Sequence, residues 1–303
     1  MPFIDLSVRV DSGNPHALRE HLSSLVELGY AAVALDTRVE ATDRNARAVL
    51  VAGLAPLDDS VLTAVTRDAR KNNANVTELV TLRRVTIQFN EPNELAEFFQ
   101  SNDDCARRFD LIALEPTSER AFLSSISNRR ADLLTVSLGQ RSAFKLRAAS
   151  LKATSTNGIA IEIMYNSSLL DVGSRRNFFA NGTSIVRAVG ENTGGGVRGD
   201  SDGEDDSDDM VSPVIAAGSR SNTLSNKPSK RVSSSGIVLT SGSRQAMELR
   251  APIDVANLAT LLGMRDENAR AALSVRCVRV VRKARRKRAE ERAAAGGKNS
   301  SSL

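Results

Sequence analysis

A single α/β barrel of the (β/α), TIM-like type, with seven to eight strands, is the fold this sequence predicts. Two observations carry that expectation. Short apolar runs alternate with helix-length amphipathic stretches along most of the 303 residues, which implies a parallel sheet. The number of repeats, packed into about 250 residues, favours closure into a barrel over an open, doubly wound sheet. No Gly-rich fingerprint follows the first strand, so the main support for a dinucleotide-binding fold is missing.

The elements read in order. Phe3 to Val8 alternates apolar and polar residues as a strand does. Asn14-Pro15 supplies an N-cap followed by proline at the first helical position. Leu18, Leu22, Leu25 and Val26 then share one helical face, and Gly29 closes the helix. Ala31 to Asp36 is nearly continuous in apolar residues, the pattern of a strand buried on both sides. Strand and helix then recur: Arg84–Phe89 before a helix over 92–100, Phe109–Leu114 before 118–126, and Ala131–Val136 before a segment near 144–149. Gly158–Met164 precedes a helix over 175–189, and Gly236–Thr240 is the last strand.

Residues 40–80 are polar and weakly periodic, and read as a long excursion. Residues 190–235 are rich in Gly, Ser, Asp and Asn and are expected to be a disordered acidic insertion, because they bury too little to offset the entropy of ordering. The expected organisation is one barrel from 1–189 and 236–289, ending in a basic helix, with a flexible tail over 290–303.

Charge is distributed in blocks. The net charge is only +5, yet residues 200–209 hold seven carboxylates and no base, while 276–288 hold eight bases and no acid. Such blocks are commonly interaction arms. Aromatic residues make up 4% and tryptophan is absent, which argues against modules that stack bases on aromatic platforms. No apolar run approaches the ~18–20 residues needed to span a bilayer, and the first residues lack the pattern of a secretory leader. Cys105 and Cys277 are isolated and read as buried thiols of a reducing compartment.

The last third is the most specific part. Leu249-Arg250-Ala251-Pro252 reads as an extended piece and a proline corner, opening a helix with Asp254 as its N-cap and Gly263 at its end. A second helix starts at Asp266 and runs into Arg282–Arg288. Its apolar stripe is Ala269, Leu273, Cys277, Val280 and Ala284. Arg276, Arg279, Lys283 and Arg286 fall on a neighbouring stripe suited to nucleic-acid phosphates. The alternative is a solvated helix with a nuclear-import signal at 283–288. Arg250 is a further phosphate candidate, or else an ion pair with Asp254 or Glu248 that locks the corner.

Three stretches resemble the thirty-kilodalton protein subunit family of ribonuclease P and RNase MRP. They are Phe3–Arg9 with Leu28–Leu35, Leu82–Ile87, and Ile237–Ser243 with Glu248–Leu258, Gly263, Ala269 and Ala272. The chain departs from the family where Ala251 and Ile253 stand and in the acidic insertion. The resemblance implies a barrel related to polymerase-and-histidinol-phosphatase domains, no catalytic residue, metal or cofactor of its own, and membership of a nuclear and nucleolar ribonucleoprotein. It implies as partners the RNase P and MRP RNAs, precursor tRNA through the complex, a small ferredoxin-like subunit, and no membrane. The RNA-binding candidates are Arg250, Arg276, Arg279, Lys283 and Arg286.

An enzyme reading competes. Related barrels that hydrolyse phosphoesters hold metals with clustered His and carboxylate ligands. Here the only histidines are His16 and His21, both on the first helix, leaving Asp5, Asp36 and Glu115 as the acidic residues near strands. The same carboxylates read equally as buried groups satisfied by hydrogen bonds.

Overall fold

A computed structural model describes residues 2–9, 15–57, 59–72, 79–140, 144, 146–191 and 236–296. Seven parallel strands pair in sequence order: β1 (Phe3–Arg9), β2 (Tyr30–Glu40), β3 (Val80–Phe89), β4 (Leu111–Pro116), β5 (Leu133–Thr135), β6 (Ala160–Met164) and β7 (Ile237–Thr240). The chain just past β7 folds back on β1. Gly242 donates its N–H to the Ser7 carbonyl at 2.8 Å, and Arg9 donates to the Ser243 carbonyl at 2.9 Å. Those bonds, with the parallel bridge between Val8 and Ser243, bring the first and last strands together into a nearly closed barrel.

The turn after β7 works only with glycine. Gly242 has φ +63°, a left-handed conformation, and a Cβ there would overlap the Met164 sulfur. Gly242→Ala should lower stability by about 1–3 kcal/mol through strain and overpacking. Urea titration of the two proteins checks this, and an equal midpoint would show the seam to be adaptable.

Helices surround the sheet: α1 (Pro15–Glu27), α2 (Ala46–Gly53), α3 (Asp59–Asn72), α4 (Pro92–Ala106), α5 (Glu119–Ile126), α6 (Ala148–Thr156), α7 (Asn166–Leu169), α8 (Val172–Val189), α9 (Pro252–Leu261), α10 (Asp266–Ala272) and α11 (Val275–Gly296). The predicted face of α1 is buried, with Leu22 and Leu25 against Val8, Val33 and Val65. Gly29 at φ +92° ends that helix. Asn14 lies outside the described residues, so the capping expectation finds no counterpart.

Several expectations need correction. Residues 40–80 include two helices, α2 and α3, anchored by the fully buried Leu50 and Val65. Neither shows a clean helical period in the sequence: α2 is apolar almost all round although it buries only Ala46 and Leu50, and Val65 is the one fully buried side chain among the described residues of α3. The segment near 144–149 becomes a helix only from Ala148, and it continues to Thr156. Asp254 is not the cap of α9. Ala251 occupies that position with Pro252 behind it, and Asp254 lies in the first turn, where its charge complements the helix dipole.

The final helix is two. The Leu273 carbonyl accepts the N–H of Ile4 at 2.8 Å, and that bond to β1 draws it out of the helical ladder. A new helix starts at Val275 and continues to Gly296, beyond the expected limit at Ala289. Residues 192–235 and 297–303 lie outside the described residues, so the expectations of a disordered insertion and a flexible tail end have no counterpart there.

Beside the cluster around Leu22, Leu25, Val33 and Val65 already described, the core has two further compartments. The larger fills the space between strands and helices. The smaller lines the lower bore of the barrel with Ile4, Leu6, Ala32, Ala34, Leu82, Leu111, Leu133, Ala160 and Val238, and it is completed by Cys277, Val280, Val281 and Ala284 of α11.

Candidate nucleic-acid interface

The basic helix is a plug before it is a surface. Its inner side closes the mouth where the strands begin, and most of its inward cations hold carbonyls or carboxylates at strand starts. Arg288 donates through Nε to the Phe109 carbonyl at 2.7 Å and through Nη2 to Asp132 at 2.6 Å. Lys287 reaches Asp132 and the Arg130 carbonyl. Burial lowers the Lys287 pKa, and the Asp132 charge opposes that shift. Asp132 also accepts the Ile112 N–H at 2.9 Å, so one carboxylate joins β4, the start of β5 and α11.

Arg276 departs from its predicted place on the exposed stripe. It is buried, its Nη1 lies 2.7 Å from both Glu191 carboxylate oxygens, and it donates further to the Ile237 carbonyl at 3.0 Å and to Asn268 at 3.0 Å. Glu191 therefore belongs to the folded barrel rather than to the insertion. Its carboxylate also accepts the Ile237 N–H at 3.3 Å, and its carbonyl accepts from Arg265 at 3.2 Å. Residues on either side of 192–235 are thus stitched together by one buried arginine. Sequence reasoning missed Glu191 because it stands beside a polar tract and its partner lies far along the chain.

The other candidates stay on the surface. Arg279 and Arg286 are exposed, and Arg286 approaches Glu290 at 3.6 Å one turn on, a solvent-screened pair of little energetic weight. Lys283 is exposed but its Nζ donates to the Gly158 carbonyl at 2.6 Å. Arg282 and Arg285 also face solvent and widen the cationic face beyond the predicted stripe. A helix whose inner side is committed to packing presents its outer charges without the entropy of a loose arm.

Arg250 lies elsewhere, on the proline corner. Its side chain is exposed, and its carbonyl accepts the Tyr30 hydroxyl at 3.0 Å, which fixes the corner to β2. Glu248 is engaged by the N–H groups of Arg244 at 2.6 Å and Gln245 at 3.3 Å. Among the described residues no ion pair joins Arg250 to Glu248 or Asp254.

The upper bore is polar, a feature that strand patterning alone scarcely signals. Arg84, fully buried on β3, reaches across the barrel to Glu162 on β6 with two hydrogen bonds, 2.5 and 2.6 Å. It also donates to the Leu6 carbonyl at 2.8 Å and lies 3.4 Å from Asp36. Thr135 and Thr240 complete the shell of Glu162, and Thr86 and Ser7 that of Asp36. Burial disfavours both charges of the Arg84–Glu162 pair, but their mutual attraction prevails and keeps them ionised.

The proposed metal carboxylates are dispersed. Asp5 accepts the N–H groups of Ser7 and Ser241, Asp36 belongs to the Arg84 network, and Glu115 pairs with Arg38. Burial raises the Asp5 pKa to about 6. His21 is buried with Nε2 2.9 Å from the Ser243 hydroxyl, and burial lowers its pKa, while His16 is exposed on the same helix. Among the described residues no group of three or more His, Cys, Asp or Glu is placed to hold a metal ion. Both cysteines are free and buried, and burial raises the Cys277 thiol pKa. No described helix is long and apolar enough to cross a membrane.

These features define a (β/α) barrel braced internally by an ion pair and carrying a basic helix across its lower mouth. The model of the RNase P subunit p30 family matches residues 2–194 and 212–289. The chain belongs to that family. It is 29% identical over 171 residues to a probable ribonuclease P protein subunit 3 of Schizosaccharomyces pombe, covering 56% of this chain and 54% of that one. It is 27% identical over 183 residues to the ribonuclease P/MRP protein subunit RPP1 of Saccharomyces cerevisiae, covering 59% and 57%. The mouse ribonuclease P protein subunit p30 is 21% identical over 91% of this chain and 83% of its own. The matches to the two yeast proteins thus span little more than half of those relatives. The fold is also that of a chain in a cryo-EM structure of archaeal ribonuclease P with mature tRNA, at TM-score 0.54 and 11% identity, covering 93% of this chain and 90% of that one.

Proposed function

We infer that this protein is a non-catalytic subunit of the RNase P ribonucleoprotein, shared with RNase MRP, which supports removal of the 5′ leader from precursor tRNA. The observation that carries this is the double role of α11: its inner face closes the barrel, while Arg279, Arg282, Arg285 and Arg286 form an exposed cationic face. Family membership supports the same reading. In it the catalytic centre belongs to the RNA, another face takes a small ferredoxin-like protein subunit, and the assembly acts in the nucleus and nucleolus. Arg250, Arg279, Lys283 and Arg286 remain the proposed RNA contacts, with Arg282 added from its exposure. Arg276 is omitted because Glu191 occupies it.

Immunoprecipitates of the endogenous protein should contain a structured RNA and cleave precursor tRNA, and nuclease treatment should abolish the cleavage. Activity that survives destruction of the RNA overturns the proposal. Changing Arg279, Arg282 and Arg286 together to glutamine should weaken RNA binding and flatten the slope of log affinity against log salt by about 0.7–0.9 per lost phosphate contact. An unchanged slope would move the interface off α11. The competing phosphoesterase reading makes a separate demand: metal-dependent turnover by the pure protein that disappears with Asp5→Asn.

A further inference from the structure

The opposite mouth of the barrel, where the strands end, collects a second set of arginines. Arg9 is the last residue of β1 and pairs with Asp36 of β2, two residues before Arg38. The bond from the Arg9 N–H to the Ser243 carbonyl places Arg244 beside it. Three cationic side chains thus rise from adjacent segments around one rim. This end of such barrels is where strand termini and loops converge on ligands.

Arg9 is the telling member. Its Nε is shielded from solvent and has no hydrogen-bond partner. Its Nη2 donates to the Met164 sulfur on β6 at 4.0 Å, a weak partner for a guanidinium. A buried donor left unmet is uncommon and costs about 1–3 kcal/mol. The carboxylates facing the rim do not relieve it. Asp36 is bonded to Thr86 and Ser7 and lies against Arg84, Glu162 is held by Arg84, and Glu115 pairs with Arg38. Asp5 below them is bonded to backbone N–H groups.

We propose that Arg9, Arg38 and Arg244 form a phosphate-binding site at this mouth, separate from α11. An oxyanion with several oxygens meets convergent guanidiniums better than a carboxylate does, because it can accept from more than one fork. A phosphoryl group there satisfies the Arg9 Nε donor and offsets the crowding of like charge, which adds to the larger effect of burial in lowering the Arg9 and Arg38 pKa values. Arg84 beneath, neutralised by Glu162 and Asp36, forms a rigid floor. The phosphoryl group belongs either to a terminal monoester or to the backbone of a nucleic acid, and the two sources share the same recognition chemistry.

Full-length protein, titrated with inorganic phosphate at constant ionic strength, should show saturable binding by calorimetry. Arg9→Met and Arg244→Gln should each weaken it about tenfold or more, the size expected for losing one charge-assisted hydrogen bond. Arg279→Gln on the far side should leave it unchanged. Arg244 is exposed, so its variant keeps the test open if Arg9→Met fails to fold. No saturable binding to the wild-type protein overturns the proposal. So does phosphate affinity that ignores both rim variants or falls with Arg279→Gln. Competition with trinucleotides bearing a 5′-phosphate or a 5′-hydroxyl separates the sources. Preference for the phosphorylated one assigns a terminal phosphate, equal competition assigns the backbone, and competition by neither overturns the site.

Discussion

Replacing Arg84 with methionine is expected to destabilise the barrel by about 3–5 kcal/mol, the usual consequence of stranding one partner of a buried ion pair. Glu162 would keep only Thr135 and Thr240, and Asp36 only Thr86 and Ser7. Against a typical total of about 5–15 kcal/mol, that is enough to unfold much of the population at physiological temperature. The double change Arg84→Met with Glu162→Leu should recover a large part of the loss, because an apolar pair of similar volume needs no compensating charge. Urea denaturation of the wild type, both single variants and the double variant gives the coupling directly. Loss below about 1 kcal/mol for Arg84→Met would mean that water enters the bore and the pair is screened.

Asp5→Asn is expected to act in the opposite direction, and only at neutral pH. The Asp5 pKa is raised from 3.8 to about 6, first by burial, with bonds from Ser7 and Ser241 working against that shift. Because the folded pKa lies above the unfolded one, the contribution of this group is fully present below about pH 4 and is lost as pH rises through about 6. Above that, the ionised carboxylate weakens the fold. Asparagine keeps an acceptor for the two backbone N–H groups without the charge. The variant should therefore gain stability at pH 7.5, with an upper limit of roughly 3 kcal/mol from about 1.4 kcal/mol per pKa unit, and the gain should vanish near pH 4. Equal stability changes at the two pH values would show that the effect is steric. Destabilisation of the variant at pH 7.5, with added Mg²⁺ raising the stability of the wild type but not of the variant, would revive a metal role for Asp5.

The fold was legible because short apolar-rich segments recur between helix-length stretches: β2 and β4 read as nearly continuous apolar runs, while β1 alternates apolar and polar residues. Helices α2 and α3 were obscured because each buries only a narrow stripe. The apolar stripe was equally plain, since Ala269, Leu273, Cys277, Val280 and Ala284 are all buried, although the break after Ala272 divides them between α10 with its cap and α11. The charged stripe was only partly so. Helical spacing shows which side chains share a face but not which of them meets a distant carboxylate, and Arg276 with Glu191 depends on the chain's return after 235. The Arg84–Glu162 pair left a faint sign: opposite charges, each embedded in an apolar strand. The arginine rim at the other mouth left none, because Arg9, Arg38 and Arg244 become neighbours only through strand register and closure.

The bonds between Arg276, Glu191 and Ile237 bear on how such a chain tolerates change. They hold the described residues on both sides of 192–235 together through side-chain bonds that do not pass through that stretch. A protease cut within that stretch should leave two fragments that stay together and keep the barrel's melting behaviour. That outcome would make backbone continuity dispensable at this point and open it to insertion of a tag or label.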